Sequence, residues 1–273
     1  MTTNDNWRGA VEMVKRSLTK KGRQQTGLYS IEGIRLHERA LHANLSLELV
    51  ILADSFAQTD SVRGQQLLAN LPPTPCYFVP DAVMAELSNG RNLGQLIGLL
   101  KIPPAAKLQE CVTAVNHPLL LILANVIDPG NVGAMIRTAH AHGAAAVILL
   151  GQSDPYHPKA VRTSMGSLFK TAVCPYNNIE SILADLQQLG IETVGTVSGQ
   201  GTLLPETTFA RGGTAVFMGN EYFGLPEDFL KRLDRQVTIP MASGIDSLSV
   251  NAATAVILYE IHRQQHHLAS PGE

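Results

Sequence analysis

The sequence predicts an α/β protein in two parts: a smaller α/β domain over residues 1–104 and a parallel-sheet domain over residues 119–273, joined by a linker at 105–118. Three observations predict it. From about Gly27 to Pro104, short β-leaning stretches alternate with helix-like ones. Pro103-Pro104 then opens a polar stretch that runs to His117-Pro118. Beyond Pro118 the apolar runs become continuous, and each gives way to a glycine or proline turn and then to helix-like sequence, as strands buried on both faces of a parallel sheet do.

In chain order, the first element is a basic segment. Lys15, Arg16, Lys20, Lys21 and Arg23 occur with no acidic residue between them, and Arg35 and Arg39 follow. Such a run is either the solvated face of a helix or an electrostatic footprint for RNA phosphates. Helical spacing then covers Gly33 to Ala43 and Asp81 to Ser88, the second opened by Asp81 as N-cap, while Leu47–Leu52 and Cys76–Val79 read as strands. In the second domain LLLILANV, AAVILL, ETVGTV and TAVFM are the strands. A sheet of this kind places its ligands beyond the carboxyl ends of its strands.

The 273 residues, 45% apolar and 16% charged, suffice for ordinary buried cores. The longest apolar runs, Leu119 to Ile127 and Ala144 to Leu150, fall short of the roughly 20 residues a membrane helix needs. The polar start MTTNDNWRGAVEMVKR lacks the apolar core of a secretory signal, so a cytoplasmic protein is expected. Cys76, Cys111 and Cys174 are far apart and form no CxxC, which supports neither a disulfide framework nor a zinc site. His262 and His266 have the spacing to share a helix face, but beside His267 near the chain end they read as a solvated tail, and no metal is expected. A net charge of −2 argues against a general nucleic-acid coat protein, so any RNA contact must come from local clusters.

Three segments carry candidate chemistry. In NVIDPGNVGAMIRTAHAHGA, Asn125 to Ala144, a strand meets a Pro-Gly turn and a helix that Asn131 can cap, with Gly130 and Gly133 permitting close approach and Arg137 lying two turns in. Each part also has a plain structural reading, a cap and a solvated arginine. In FMGNEYFGLPEDFL, Phe217 to Leu230, a buried strand ends at Gly219 and the carboxylate Glu221 follows almost at once, placed either for a ligand or in a turn facing water. Glu227 and Asp228 suit a helix N-terminus. In VTIPMASGIDSLSVNAATAVILYEIHRQ, Val237 to Gln264, a short strand leads through a glycine-containing loop to a helix that Ser247 can cap, and Ala252, Ala253 and Ala255 let a neighbour pack closely.

Together, the order and spacing of these segments resemble the catalytic domain of the SpoU/TrmH family of the SPOUT superfamily, over roughly Leu119 to Arg263. The resemblance implies a deep trefoil knot at the C-terminal end of the sheet, a homodimer, and S-adenosyl-L-methionine held bent by the knot. It also implies transfer of a methyl group to a ribose 2′-hydroxyl of structured RNA. Carried over by position, it assigns catalytic roles to Asn131, Arg137, Glu221, Ser247 and Ser249, and cofactor contacts to Gly219, Asn220, Ile239, Met241 and Leu248. One departure is visible: where the family usually reads Ser-Leu-Asn, this chain reads Ser247-Leu248-Ser249, with Asn251 two places later, and a hydroxyl does not reproduce an amide's paired donor and acceptor.

GLYSIEGIRLHERAL likewise resembles the start of the small RNA-binding domain, related in fold to some ribosomal proteins, that several rRNA-modifying members carry. That resemblance makes Lys20, Lys21, Arg23 and Arg35 the expected RNA-binding residues and favours rRNA over tRNA. Two other readings make different demands on the sequence. A dinucleotide-binding oxidoreductase needs a G-x-G-x-x-G that Gly130 and Gly133 do not form. A non-catalytic RNA-binding or ribosome-assembly protein retaining the fold would be consistent with the altered Ser249, whereas Asn131, Arg137, Glu221 and Ser247 favour an enzyme.

Overall fold

The computed structural model describes residues 7–58, 61–88, 95–209 and 212–267. Contacts divide the chain into two units, one of Met1–Pro103 with Tyr156–Phe169, the other of Pro104–Pro155 with Lys170–Glu273.

The first unit begins with helices α1 (Trp7–Ser17) and α2 (Lys20–Thr26), followed by β1 (Leu28–Glu32), α3 (Ile34–His42), β2 (Leu47–Ala53), α4 (Val62–Asn70), β3 (Cys76–Val79), α5 (Asp81–Leu87) and β4 (Leu96–Lys101). Its four-stranded sheet runs β1-β4-β2-β3, with β4 antiparallel to both neighbours and β2 parallel to β3. The break between α1 and α2 is capped from both sides. Thr19 accepts from Gly22 N at 3.1 Å, and the Arg23 guanidinium donates from Nη1 to the Ser17 carbonyl at 2.8 Å, satisfying the end of α1. Gly22 packs so closely that an added Cβ would lie 2.0 Å from the Arg16 carbonyl oxygen. Asp81 is the first residue of α5 rather than its N-cap, a position taken by Pro80. Its carboxylate instead accepts from Ser55 N at 3.2 Å and Ser55 Oγ at 2.8 Å.

The second unit begins with α6 (Leu108–Thr113), inside the stretch expected to be a linker. Leu108 and Val112, one helical turn apart, are both buried, so these residues belong to the core of this unit. β5 (Leu119–Ala124), α7 (Pro129–Ala141) and β6 (Ala146–Leu150) follow. The continuous catalytic domain expected over 119–273 is interrupted by Tyr156–Phe169, which clusters with the first unit. There α8 (Pro158–Thr163) packs on β1, and the Tyr156 ring lies 5.0 Å from that of Tyr29.

The chain then continues through β7 (Val173–Tyr176), α9 (Ile179–Gln188), β8 (Glu192–Thr196), β9 (Thr202–Leu203), β10 (Thr214–Met218), α10 (Glu227–Leu230), β11 (Arg235–Thr238) and α11 (Val250–His267). The seven strands form one parallel sheet in the order β7-β6-β5-β10-β8-β11-β9. β10 is central, with Phe217 beside Ile122 on one side and Gly195 on the other. Every residue of β5, β6 and β10 is buried, which explains their unbroken apolar sequence. Each large aliphatic side chain buried this way contributes about 1.5–3 kcal/mol. Cys76 and Cys174 are buried free thiols, and burial raises the pKa of each, that of Cys174 to about 12. Among the described residues no helix is long and apolar enough to cross a membrane.

Candidate active site

The loops at the carboxyl ends of β5, β6 and β10 are tied to one another. Asn125, immediately after β5, adopts a left-handed conformation (φ 57°), which asparagine tolerates better than most residues. Its N–H donates to the Leu150 carbonyl at 2.9 Å, and its own carbonyl accepts from Asn220 Nδ2 at 3.0 Å. Gly151 closes the corner, since a Cβ there would lie 1.9 Å from Asn125 Oδ1.

Glu221 completes the junction. Its carboxylate accepts from the backbone N–H of Ile127 at 3.3 Å and of Asp128 at 3.1 Å, and from Asn131 Nδ2 at 3.0 Å. Three neutral donors thus hold one half-buried carboxylate, joining the turn after β10 to the start of α7. The helix itself is capped by Asp128, whose Oδ1 accepts from Asn131 N at 2.9 Å, with Pro129 at the first helical position. Asn131 is therefore not the cap the sequence suggested. Its amide is left to bind Glu221.

Beside this junction a cavity of about 350 Å³ opens at the ends of β8, β10 and β11. The segment after β11 supplies one wall, including Ile239, Met241, Ser247 and Leu248. Thr196–Ser198 supplies another, and Gly219, Asn220 and Glu221 a third. The walls are cross-linked: Thr196 Oγ1 donates to the Phe217 carbonyl at 3.0 Å, and Gly199 N donates to Thr238 Oγ1 at 3.2 Å. Gly219 is needed for the approach of its own turn, because a Cβ would fall 2.2 Å from the Gly224 carbonyl carbon.

The chamber thus brings together Gly219, Asn220, Ile239, Met241 and Leu248, the five expected cofactor contacts, with Glu221 and Ser247. Asn131 joins them through Glu221. Three candidates stand elsewhere. Ser249 caps α11, accepting from Ala252 N at 3.3 Å through its hydroxyl and from Ala253 N at 2.9 Å through its carbonyl, which is the role the sequence suggested for Ser247. Arg137 is exposed on α7 and does not line the chamber. Six residues beyond Asn131, it is displaced about 9 Å along the helix axis and turned to another face. Arg23, expected to bind RNA, is 3% exposed and committed to the end of α1, whereas Lys20, Lys21 and Arg35 are exposed.

Sequence reasoning missed Asp128, Thr196–Ser198 and the contact of Thr138 Oγ1 with Asn251 Oδ1 at 3.4 Å, which ties α7 to α11. Asp128 was readable, since Asp followed by Pro is a strong helix opening. Thr196–Ser198 follows a strand's carboxyl end, where ligands of such sheets gather. The Thr138–Asn251 pair had no signal in one sequence. His262 Nδ1 lies 3.0 Å from the His142 carbonyl, while the side chains of His266 and His267 lie outside the described residues.

The chamber's lining tests what it can hold. Met218, Ile239 and Ile257 offer an apolar floor. Asp246 and Glu221 supply negative charge, while among the described residues the lining includes neither lysine nor arginine. That set suits a nucleoside carrying positive charge, such as S-adenosylmethionine, and opposes a pyrophosphate.

A parallel sheet with such a chamber beyond its strands, and a polar latch beside it, suits a methyltransferase better than a dinucleotide-dependent oxidoreductase. A model of the SpoU rRNA methylase family matches residues 118–259, more than half of the chain, and the chain belongs to that family. A model of the MRM3-like substrate binding domain matches residues 10–98. The 23S rRNA (guanosine(2553)-2′-O)-methyltransferase RlmP of Bacillus subtilis (strain 168) is 29% identical over 249 residues, which cover 90% of this chain and 93% of that one. The crystal structure of the SpoU methyltransferase AviRb from Streptomyces viridochromogenes, in complex with S-adenosylmethionine, superposes with a TM-score of 0.83 at 25% identity, covering 94% of this chain and 98% of the other. That of an RNA 2′-O ribose methyltransferase superposes with a TM-score of 0.80 at 30% identity, covering 97% and 99%.

Proposed function

We propose that this chain transfers a methyl group from S-adenosylmethionine to a ribose 2′-hydroxyl of RNA, with rRNA as the favoured substrate over tRNA. The observation that carries the reading is the chamber itself, walled by the expected cofactor residues and joined through Glu221 to Asn131. The reading also takes in a homodimer, a cytoplasmic site of action and a knotted C-terminal segment.

When bound, the cofactor supplies a methyl group activated by positive sulfur. The protein's part is mainly alignment, because in-line displacement rewards holding the acceptor oxygen on the axis of the breaking bond. Gly219 and its turn shape the chamber wall, and Glu221 fixes that turn against the start of α7 through three donors. Ser247 is exposed at the chamber's edge, where its hydroxyl can accept from or donate to the substrate ribose. Arg137 is assigned to the phosphate beside that ribose. A protonated guanidinium has no lone pair for a proton, so its charge serves to hold the phosphate, while the ribose proton leaves to the Glu221 carboxylate or to water.

The test is to incubate the protein with methyl-labelled S-adenosylmethionine and, separately, unmodified rRNA and tRNA transcripts, then map label that resists alkaline cleavage. Alkali-resistant label in rRNA alone supports the full reading, and in tRNA alone it moves the substrate class. No label in either, with cofactor binding intact, favours the non-catalytic RNA-binding alternative that Ser249 raised.

A further inference from the structure

The turn after β10 carries two side chains for which the chamber has no use. Tyr222 is 89% exposed and Phe223 88%, although both touch the mouth of the chamber. Their backbone is not loose. Asn220 Oδ1 accepts from the N–H of Tyr222 at 2.9 Å and of Phe223 at 3.2 Å, and Asn220 and Gly224 exchange a pair of backbone hydrogen bonds at 3.0 and 2.9 Å. Gly224 turns the chain back with φ 65°, and Asn220 Nδ2 anchors the turn to Asn125. Two aromatic rings are therefore presented to solvent on a fixed frame. Their centroids are 6.5 Å apart with planes at 58°, so neither ring covers the other's face.

Exposed apolar surface continues around the same mouth. Ile127, whose N–H is held by Glu221, is 63% exposed, and Leu248 is 40% exposed. Exposed aromatic and aliphatic side chains grouped beside a polar reaction site mark a surface that is covered in use. Continuity with that site indicates what covers it. Phe223 is two residues from Glu221, less than about 8 Å between Cα atoms, so the base of a ribose at the chamber, or its neighbour, lies within reach of these rings. Every nucleobase has two π-faces, and aromatic side chains bind unpaired bases by stacking on them.

We infer that Tyr222 and Phe223 form a stacking platform for an unpaired nucleobase at or next to the ribose that is methylated, so that the site selects a nucleotide displaced from its helix. The assignment rests on the methyltransferase reading for the ribose, but not for the stacking itself. A second copy of this chain seated on the same surface, or the rings closing on the cofactor, are the competing outcomes.

Two measurements on the full chain test it. In the first, a labelled single-stranded oligouridylate and an abasic oligomer of the same length are titrated into wild type and into a variant carrying Tyr222→Ala and Phe223→Ala. Wild type is expected to bind the oligouridylate about 10-fold tighter than the abasic probe, and the variant to lose that difference. Equal binding of both probes by wild type overturns the platform, whatever the protein methylates. In the second, transfer to an unmodified 23S rRNA transcript is followed. The double variant is expected to raise KM for RNA about 10-fold with the S-adenosylmethionine Kd unchanged, while Tyr222→Phe with Phe223→Tyr keeps both at wild-type values. A parallel rise in cofactor Kd, or loss of self-association by light scattering, assigns the rings elsewhere and overturns the proposal. Base-dependent binding without methyl transfer leaves the platform standing and removes the methyltransferase reading instead.

Discussion

Two half-buried carboxylates, Glu38 in the first unit and Glu221 in the second, are satisfied in contrasting ways. In the first unit, Glu38 pairs with Arg63 and Glu86 with Lys15 at the surface, and a buried imidazole, His37, is 0% exposed and held neutral. In the second, Glu221 draws three neutral N–H donors from one segment, residues 127–131, far from it in sequence, and Asp234 takes Thr193 N at 2.8 Å and Thr193 Oγ1 at 2.7 Å. Ion pairs at a surface tolerate rearrangement because water replaces either partner. A carboxylate satisfied by fixed amides does not, and it locates its loops to within a hydrogen bond. The contrast teaches that a surface ion pair such as Glu38–Arg63 serves the surface of its unit, while the amide-bound Glu221 builds the site.

The largest expected effect breaks that comparison if it fails. Arg137→Ala is expected to lower methyl transfer about 1,000-fold or more while leaving S-adenosylmethionine binding within about 2-fold, because its side chain is outside the chamber and its charge is assigned to the substrate phosphate. Single-turnover transfer and calorimetric cofactor titration check both halves. Retained transfer would show that the exposed face of α7 is not the RNA side of the site.

The next prediction belongs to the first unit. Burial lowers the His37 pKa from 6.5 to about 4, against a smaller opposing effect of the Gly33 carbonyl, 2.8 Å from Nδ1. Between these pH values the unfolded chain binds a proton that the folded one refuses, so stability rises with pH across the window and falls on acidification. The full difference is about 3 kcal/mol, lost between neutral pH and about pH 4. Trp7, the chain's single tryptophan, lies in α1 and reports on this unit. Urea unfolding followed by its fluorescence should show the loss in wild type and a flatter pH dependence in His37→Gln.

How much of this was legible in the sequence divides along the same line. The parallel sheet was readable because strands buried on both faces leave unbroken apolar runs, and Leu119–Ala124 and Thr214–Met218 are such runs. The chamber residues were placed by resemblance to a family rather than by physics, since nothing local says that Ile239 and Gly219 face one space. Errors clustered where one residue type has two common uses. Arg23 reads as a surface cation, yet its guanidinium closes the end of α1. Asn131 and Ser247 are good caps by type, but Asp128 and Ser249 occupy those positions and free the first two for other contacts. Local propensity ranks such candidates. Only the tertiary partner, Glu221 for Asn131, decides among them.

Glu221→Gln sharpens the contrast at smaller scale. The amide keeps one acceptor but turns a donor toward backbone N–H groups that already donate, so one of the three bonds is lost or reversed. The loop should loosen without the unit unfolding. Single-turnover transfer is expected to fall about 10-fold, with a smaller change in cofactor Kd. An unchanged rate would return Glu221 to the status of a turn residue.

The smallest effect is the control on the other side of the comparison. The Arg63 guanidinium pairs with Glu38 through both Nε and Nη2, and this contact depresses the Glu38 pKa. A depressed carboxylate adds stability that is present above its unfolded pKa and lost as pH falls through its folded one, so the contribution is intact at neutral pH and disappears only in acid. Both side chains are partly exposed, 54% for Arg63 and 30% for Glu38, so solvent screens the pair and the gain is small. Arg63→Ala should shift the midpoint of thermal unfolding by less than about 2 °C at neutral pH, and by less still in high salt. A larger shift would mean that the surface charges of the first unit hold its fold as firmly as the amide-bound carboxylates hold the loops of the second. The distinction between a unit that tolerates rearrangement and one that fixes its loops would then be lost.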